Sequence, residues 1–437
     1  MKYKLIKTSL LFSLGLLNLQ SLTAQESKTL TLKEAIDMSI ANSKQLKLNK
    51  EKILEATAAI NEANERRLPD AGINASYLYL PIKPVIDLKS GSNNGGPSVS
   101  QAIYGIANVS VPLYTGGKLK YGIESAKYLE QAVKLDADND LELVIMNVTN
   151  ACINLYKAYT AIQLVKENLS TSQQRVRDFS NLEKNGLLPR NDLLKAELQS
   201  SNIELTLLDA ESNYKLASVN MNLMIGLPEQ TLLIPDKTGL SLPASIKTLD
   251  EYETDAFKNR KDVASLSFRK KAAGIDIKNA KADYYPSISF TGGYIAADIP
   301  KFFSVYNAVN AGIGIKYNIG SLWKTKTKIE QAKIKEQQVQ INEDMLNDNI
   351  RLQVNQAYEA YLVSVKKIQV YEKAVIQAAE NYRITKNKYD NSLASTTDLL
   401  DADVALLQTK LSVTNAKADS FLAYNKILLV SGLLKAN

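Results

Sequence analysis

The chain has 437 residues, 45% hydrophobic and 23% charged, an ordinary globular composition with length enough for one large core or two halves. It holds no histidine and one cysteine, Cys152, which excludes histidine-based catalysis, most zinc and haem sites, and any intramolecular disulfide. Its formal charge is +7, without a Lys/Arg run interleaved with aromatics, so nucleic acid is not an expected partner.

Residues 1–24 read as a secretory signal peptide. Lys2, Lys4 and Lys7 lead into an apolar run from Ser9 to Leu19, and a small residue precedes Gln25. The run is too short for a ~20-residue membrane span, and no later stretch is apolar enough for a membrane helix. Without those three lysines the balance is 50 − 46 = +4.

Thr31 and Glu34 form a Thr-x-x-Glu capping box that opens a helix. After Pro69, Ile73, Ala75, Tyr77 and Tyr79 alternate with Asn74 and Ser76. A Pro/Gly/Ser/Asn loop over 81–101 follows. Ile103, Ala107, Val109, Val111 and Leu113 then share one face, with Asn108 and Ser110 on the other. Such period-2 runs of about 9 to 11 residues fit tilted membrane strands. A soluble sheet packed on helices fits the alternation equally well.

Residues 123–185 contain neither proline nor glycine. Ala137, Leu141, Val144, Val148, Ala151, Leu155, Ala158, Ile162, Val165, Leu169, Val176 and Phe179 keep 4,3 spacing, with Ser172 the one polar residue in the series. That 3.5-residue period marks helices that supercoil left-handedly. It predicts a helix from about Lys118 to Asn185, roughly 100 Å at ~1.5 Å per residue. After "NGLLPRND" the seam resumes at Ala196, Ile203, Leu207, Ala210, Tyr214, Ala217, Met221 and Met224. Residues 228–247, with three prolines and a glycine, read as a linker.

The pattern then returns. "TLDEYE" (248–253) repeats "TLKEAI" (31–36) at an offset of 217, and "TDLLDAD" (397–403) repeats "NDLLKAE" (191–197) at 206. One gap of 11 residues near 81–101 explains both offsets. The expected organisation is a signal peptide over 1–24, a first repeat over 25–227, the linker 228–247 and a second repeat over 248–437. "SISFTGGYI" and "NAGIGIKYNI" supply the second strand pair, and residues 321–431 again lack proline and glycine. Ten of the 22 tyrosines fall within 72–121 and 284–317, which favours an aromatic girdle built from Tyr77, Tyr79, Tyr104, Tyr114, Tyr294 and Tyr317. Four strands cannot close a membrane barrel, since small closed barrels need ~8. If these strands span a membrane, several chains share one barrel.

The duplicated capping box, "RLPDAGINASY" with its copy "YYPSISFTGGY", "VPLYTGGK" entering the long helix, and the "NDLL"/"TDLL" turns resemble the TolC-like outer-membrane factors. These are exit ducts of bacterial efflux and type I secretion systems, and the resemblance covers about residues 28–434. It implies a mainly α fold with a small β part. Long coiled-coil helices would form a periplasmic α-barrel, and four strands per chain would form a 12-stranded barrel shared by a homotrimer. It also implies a periplasmic adaptor protein and an inner-membrane pump as partners, outer-membrane lipid around the strands, and no cofactor or metal.

On that resemblance, the turns Asn185, Gly186, Pro189, Arg190, Asp192 and Asn391, Ser392 become the two helix tips at the periplasmic mouth. Asp192 and Asp398 are expected at the helix N-cap, where a carboxylate accepts free backbone N–H bonds and meets the positive end of the dipole. The family's inward-facing aspartates match Asp398 and Asp401, and a trimer would gather six carboxylates around the pore, a ring that attracts cations. Crowding would raise some of their pKa values. Tyr389 matches a gate tyrosine. The gate arginine is unmatched, because Ala394 stands in its place, and Arg190 lies at the other tip. A solvated helix face remains the plain alternative for Asp401.

Other constellations fail. "DADND" (136–140) lacks the glycine and glutamate of a calcium loop, and "TGGKLK" (115–120) lacks phosphate-loop spacing. Cys152 fits a small buried hydrophobe, and Trp323 either an interface anchor or a packing residue. The expected function is a passive outer-membrane exit duct, not an enzyme. The rival is an exported soluble coiled-coil structural or adaptor protein without a barrel.

Overall fold

A computed structural model describes residues 27–82, 84, 99–236, 242–300 and 302–435. The signal segment, most of the 81–101 loop and the middle of the linker lie outside them. In chain order the elements are β1 (Ser27–Leu30), α1 (Leu32–Asn42), α2 (Lys44–Glu65), β2 (Asp70–Tyr79), β3 (Gln101–Tyr114), α3 (Lys118–Lys184) and α4 (Arg190–Ile225). There follow β4 (Leu232–Pro235), α5 (Leu249–Asn259), α6 (Lys261–Lys281), a 3-10 turn (Ala282–Tyr284), β5 (Ser287–Ile299), β6 (Phe303–Lys316), α7 (Ser321–Asp390) and α8 (Thr396–Val430). The fold is mainly helical with a small strand part, as expected. α3 and α7 are 67 and 70 residues long.

The chain forms two compact units. One comprises the residues up to Leu46, Asp140–Asn259, and those from Ile350 onward. The heptad seam forms its interior: Val148, Ala151, Leu155, Ile162, Val165 and Phe179 of α3 are buried, as are Ala196, Ile203, Ala210 and Met221 of α4. Ile350, Val354, Ala357, Tyr361 and Ile368 of α7 are buried too. Ser172, the polar residue in the series, is only 1% exposed, so the period overrides its polarity.

Leu232–Pro235 is a strand, paired in parallel with β1 from Ser27↔Leu232 to Leu30↔Pro235. Asn222 Nδ2 donates to the carbonyls of Glu229 (3.2 Å) and Thr231 (2.8 Å), and Tyr214 Oη donates to that of Leu233 (2.6 Å). Buried carbonyls need such partners, and α4 supplies them.

The capping boxes at the start of α1 and α5 differ. Thr248 and Glu251 exchange both bonds. Thr31 Oγ1 accepts from the Glu34 N–H, while the Glu34 carboxylate pairs with Lys28 at 2.7 Å.

The second unit comprises Lys47–Asn139 and Arg260–Asn349. It contains an antiparallel sheet in the order β2-β3-β5-β6. Ala132, Ala272, Ala273 and Ile275 are buried helix residues of this unit. Asp136, from the rejected calcium-like run, accepts from Ser265 Oγ (2.5 Å) and pairs with Arg269.

Candidate functional site

The two tips share one local design. At the end of α3 the Gly186 N–H bonds to the Glu183 carbonyl (2.9 Å) and that of Leu187 to Leu182 (2.8 Å). At the end of α7 the Ser392 N–H bonds to Tyr389 (2.9 Å) and that of Leu393 to Lys388 (2.7 Å). Each is a Schellman pair that satisfies the last free carbonyls of its helix. The motif needs a left-handed residue, and Gly186 (φ 70°) and Ser392 (φ 58°) supply it. Asn185 and Asn391 each donate Nδ2 to the carbonyl four residues back, at 2.7 Å.

The acids sit differently from expectation. Neither Asp192 nor Asp398 is an N-cap; both lie at the third helical position, since Pro189 and Ser395 are the caps. Asp398 completes a capping box: its N–H bonds to Ser395 Oγ (3.2 Å), and its carboxylate accepts from the Ser395 N–H (2.9 Å) and Oγ (2.7 Å). The Ser395 hydroxyl, and then its N–H, hold the Asp398 carboxyl below the usual range. Pro189 has neither hydroxyl nor N–H to offer, so Asp192 has no box to close. Its carboxylate instead accepts from Lys195 Nζ (3.1 Å), which also donates to Thr397 Oγ1 on the other tip (3.3 Å). Thus Lys195, the repeat partner of Asp401, is a link between tips. Asp401 itself is exposed, with no ion pair among the described residues. Arg190 Nη1 lies 3.7 Å from Glu183 Oε1, across its own turn.

Tyr389 lies in the tip core, away from the exposed surface that carries Asp398 and Asp401. Its ring stacks on Phe179 (centroids 5.5 Å apart) beside Leu193, Ala196 and Leu399. Burial pushes its phenol up, with Asp192 and Asp390 adding to it and a hydrogen bond to Thr396 opposing.

Sequence reasoning missed a buried ion pair near the tips. Arg175 Nη1 donates to Asp403 Oδ2 at 2.9 Å, with the two side chains 8% and 5% exposed. Asn168 Nδ2 donates to Asp403 Oδ1 (3.1 Å), and Arg175 Nη2 to Tyr382 Oη (3.3 Å). Its signal was an arginine and an aspartate bordering the apolar seam, visible only once the helices are paired.

In the sheet, hydrogen-bonded rows sort the side chains. One face carries the rows Tyr114–Ile288–Ile315, Val111–Phe290–Ile313 and Ile73–Ala107–Tyr294–Val309. The other carries Ser110–Thr291–Gly312 and Asn74–Ile106–Ile295–Ala308. Ile73, Val309 and Ile313 are 85%, 78% and 69% exposed, so the apolar face is bare. β2 and β6 each lack an outer neighbour among the described residues.

The bulge at Pro112/Tyr114 brings Tyr114 opposite Ile288, where simple alternation would place Leu113. Tyr77 lies on the apolar face, Tyr79 shares its parity at the strand end, and Tyr317 follows β6 by one residue. Tyr104 departs from the expected girdle. Its partners are Ser76 and Ala297, so period 2 turns it to the face opposite Tyr77.

Cys152 is a partly buried member of the first unit's core, and burial pushes its thiol up to about 12. Among the described residues no cluster fit for a metal occurs, and no helix is long and apolar enough to cross a membrane.

A sheet with a bare apolar face and, among the described residues, two open edges, in a chain whose longest elements are heptad helices, has the parts of a membrane-duct subunit. Comparison with known proteins gives the family. The chain belongs to the family described as "Outer membrane efflux protein", whose model matches residues 35–227 and 254–432.

The Cation efflux system protein CusC of Escherichia coli K12 is 23% identical over 391 residues, 87% of this chain and 81% of that protein. The Alkaline protease secretion protein AprF of Pseudomonas aeruginosa is 20% identical over 64% of this chain and 61% of its own. In fold, the chain resembles the CmeC outer membrane channel of Campylobacter jejuni (TM-score 0.77, 18% identity, 92% and 85% covered). It also resembles the outer membrane protein VceC of Vibrio cholerae (TM-score 0.75, 17% identity, 92% and 96% covered). The chain is thus an outer-membrane protein with a helical part in the periplasm. The soluble coiled-coil rival is not favoured.

Proposed function

We propose that three copies of this chain form one passive exit duct of an efflux or secretion system. The observation that carries the shared barrel is the four-stranded sheet, apolar on one face and unpaired at β2 and β6 among the described residues. In lipid an open edge leaves N–H and C=O groups without partners, so the edges must meet those of other copies. Four strands fall short of the ~8 that closure needs, and three copies give the twelve that the resemblance to the TolC-like factors implies.

The helices supply a second support. α4 leaves Leu194, Leu198, Leu205, Leu208, Leu216 and Leu223 exposed, and α7 leaves Leu352, Val363, Val370 and Ile384 exposed. These are further seams at near-heptad spacing, suited to neighbouring chains. A periplasmic adaptor and an inner-membrane pump complete the system, as the family's role in efflux requires. The test is the mass of the mature chain extracted in mild detergent and corrected for bound detergent. Three chains per particle are expected; a water-soluble monomer would overturn the reading.

Asp398 and Asp401, both exposed near the start of α8, are the acids that face the pore in this duct. Asp398→Asn with Asp401→Asn should weaken cation preference and divalent-cation block in planar bilayers. An unchanged current–voltage profile would remove the ring. Tyr389 acts from within the tip core, holding the end of α7 against α3 through Phe179.

A further inference from the structure

We infer that the end of the sheet nearest α7 carries a binding surface for the headgroups of anionic phospholipids, centred on Trp323 and Lys326. The inference rests on the membrane reading and goes beyond it. The apolar rows of the sheet end at Tyr114–Ile288–Ile315. Directly past that row stand Tyr285, Tyr317 and Trp323, each 43% to 64% exposed. Aromatic rings with a polar edge settle where hydrocarbon gives way to headgroups.

The first turns of α7 sort their side chains by the helical period. Ser321 and Thr325 are buried, and Lys328 on the same side reaches inward to Asp283 at 2.7 Å. Trp323 and Lys326, three residues apart, share the opposite side, and Lys324, next to Trp323 in sequence, is also exposed. Lys118 and Lys328 are both committed to Asp283, but Lys324 and Lys326 have no ion pair among the described residues. Glu330, four residues beyond Lys326 on the same side, makes no ion pair with it among the described residues. Cations without acid partners, set next to an interfacial indole, match a lipid phosphate in charge and in depth.

α7 belongs to the helical part, so this end of the sheet faces the periplasm. The occupant is therefore the phospholipid leaflet on that side. Each lysine near an anionic surface contributes about a fivefold preference, and salt screens it.

Trp323 is the chain's one tryptophan, so its fluorescence reads this site alone. The mature chain would be placed in phosphatidylcholine vesicles, with and without phosphatidylglycerol, with bromine on the acyl chains of one lipid at a time. The expected result is a blue-shifted emission, quenched more strongly per lipid by brominated phosphatidylglycerol. Lys326→Gln and Lys324→Gln should each lower that preference about fivefold, and Lys326→Arg should retain it. Protein that floats with the vesicles yet shows water-like, unquenched emission overturns the site and leaves the duct standing. Equal quenching by the two brominated lipids overturns the headgroup selectivity. Protein that fails to float overturns both readings.

Discussion

Ser392 occupies a backbone position that its partner in the first turn gives to glycine. Both residues make the same two Schellman bonds, but a side chain at φ 58° crowds its own backbone. Ser392→Gly should therefore stabilise the second tip, and Gly186→Ala should cost about 1–2 kcal/mol at the first. No atom lies within 4 Å of a Cβ built on Gly186, so the cost there is conformational rather than steric. Amide exchange at the two turns, measured in each variant, checks both signs. Deeper in the same region, Arg175→Met or Asp403→Asn alone leaves a buried group without its partner, at about 3–5 kcal/mol. Replacing both by apolar residues should recover most of that loss, as read from denaturant midpoints. The sequence exposed the turn residues because glycine and asparagine declare local geometry. It placed Asp192 and Asp398 at the cap because both follow a turn, whereas Pro189 and Ser395 three residues earlier hold that position. Arg175 and Asp403 were illegible, since their pairing crosses helices 228 residues apart.

Long elements were the most legible, for a physical reason. A 3.5-residue period repeated over a dozen positions accumulates evidence that one polar residue, Ser172, cannot cancel. β4 escaped because four residues ending in a proline carry no period; only Asn222, Tyr214 and β1 make them a strand. Strand parity was legible up to the bulges, where one extra residue exchanges Leu113 for Tyr114. At the junction of these elements, the 3-10 turn before β5 is pinned through Asp283. Burial alone would raise its carboxyl. Hydrogen bonds from Lys118 (2.5 Å) and Lys328 (2.7 Å) more than reverse this and leave it lowered. A carboxyl depressed in the folded state contributes stability above its unfolded pKa, about 3.9. That contribution is lost as pH falls through the lower, folded value. Asp283→Asn should thus lower stability at neutral pH and flatten the loss in acid, as seen in unfolding midpoints across an acid titration.

At the scale of the whole molecule, the two faces of the sheet must meet different surroundings. Strand parity predicts which. Ile313 and Gly312 are neighbours on β6, yet Ile313 stands in the apolar row with Phe290 and Gly312 in the polar row with Thr291. In a duct shared by three copies the first faces lipid and the second faces water. Ile313→Lys, one row in from the headgroup end of the sheet, should then cost about 1–2 kcal/mol in a bilayer, between the cost of a cation at the midplane of a barrel's lipid face and that at its edge. Gly312→Lys should be tolerated, because no atom lies within 4 Å of a Cβ built there and the ammonium reaches water. The second variant should instead change the conductance of the assembled pore, by a fixed charge added once per copy. Assembly measured by trimer yield and conductance measured in bilayers should therefore separate, the first failing for Ile313→Lys and the second shifting for Gly312→Lys. If both variants assembled alike, or if Gly312→Lys left the current unchanged, neither face would line lipid or pore. The four strands of one chain would then not be a third of a shared barrel.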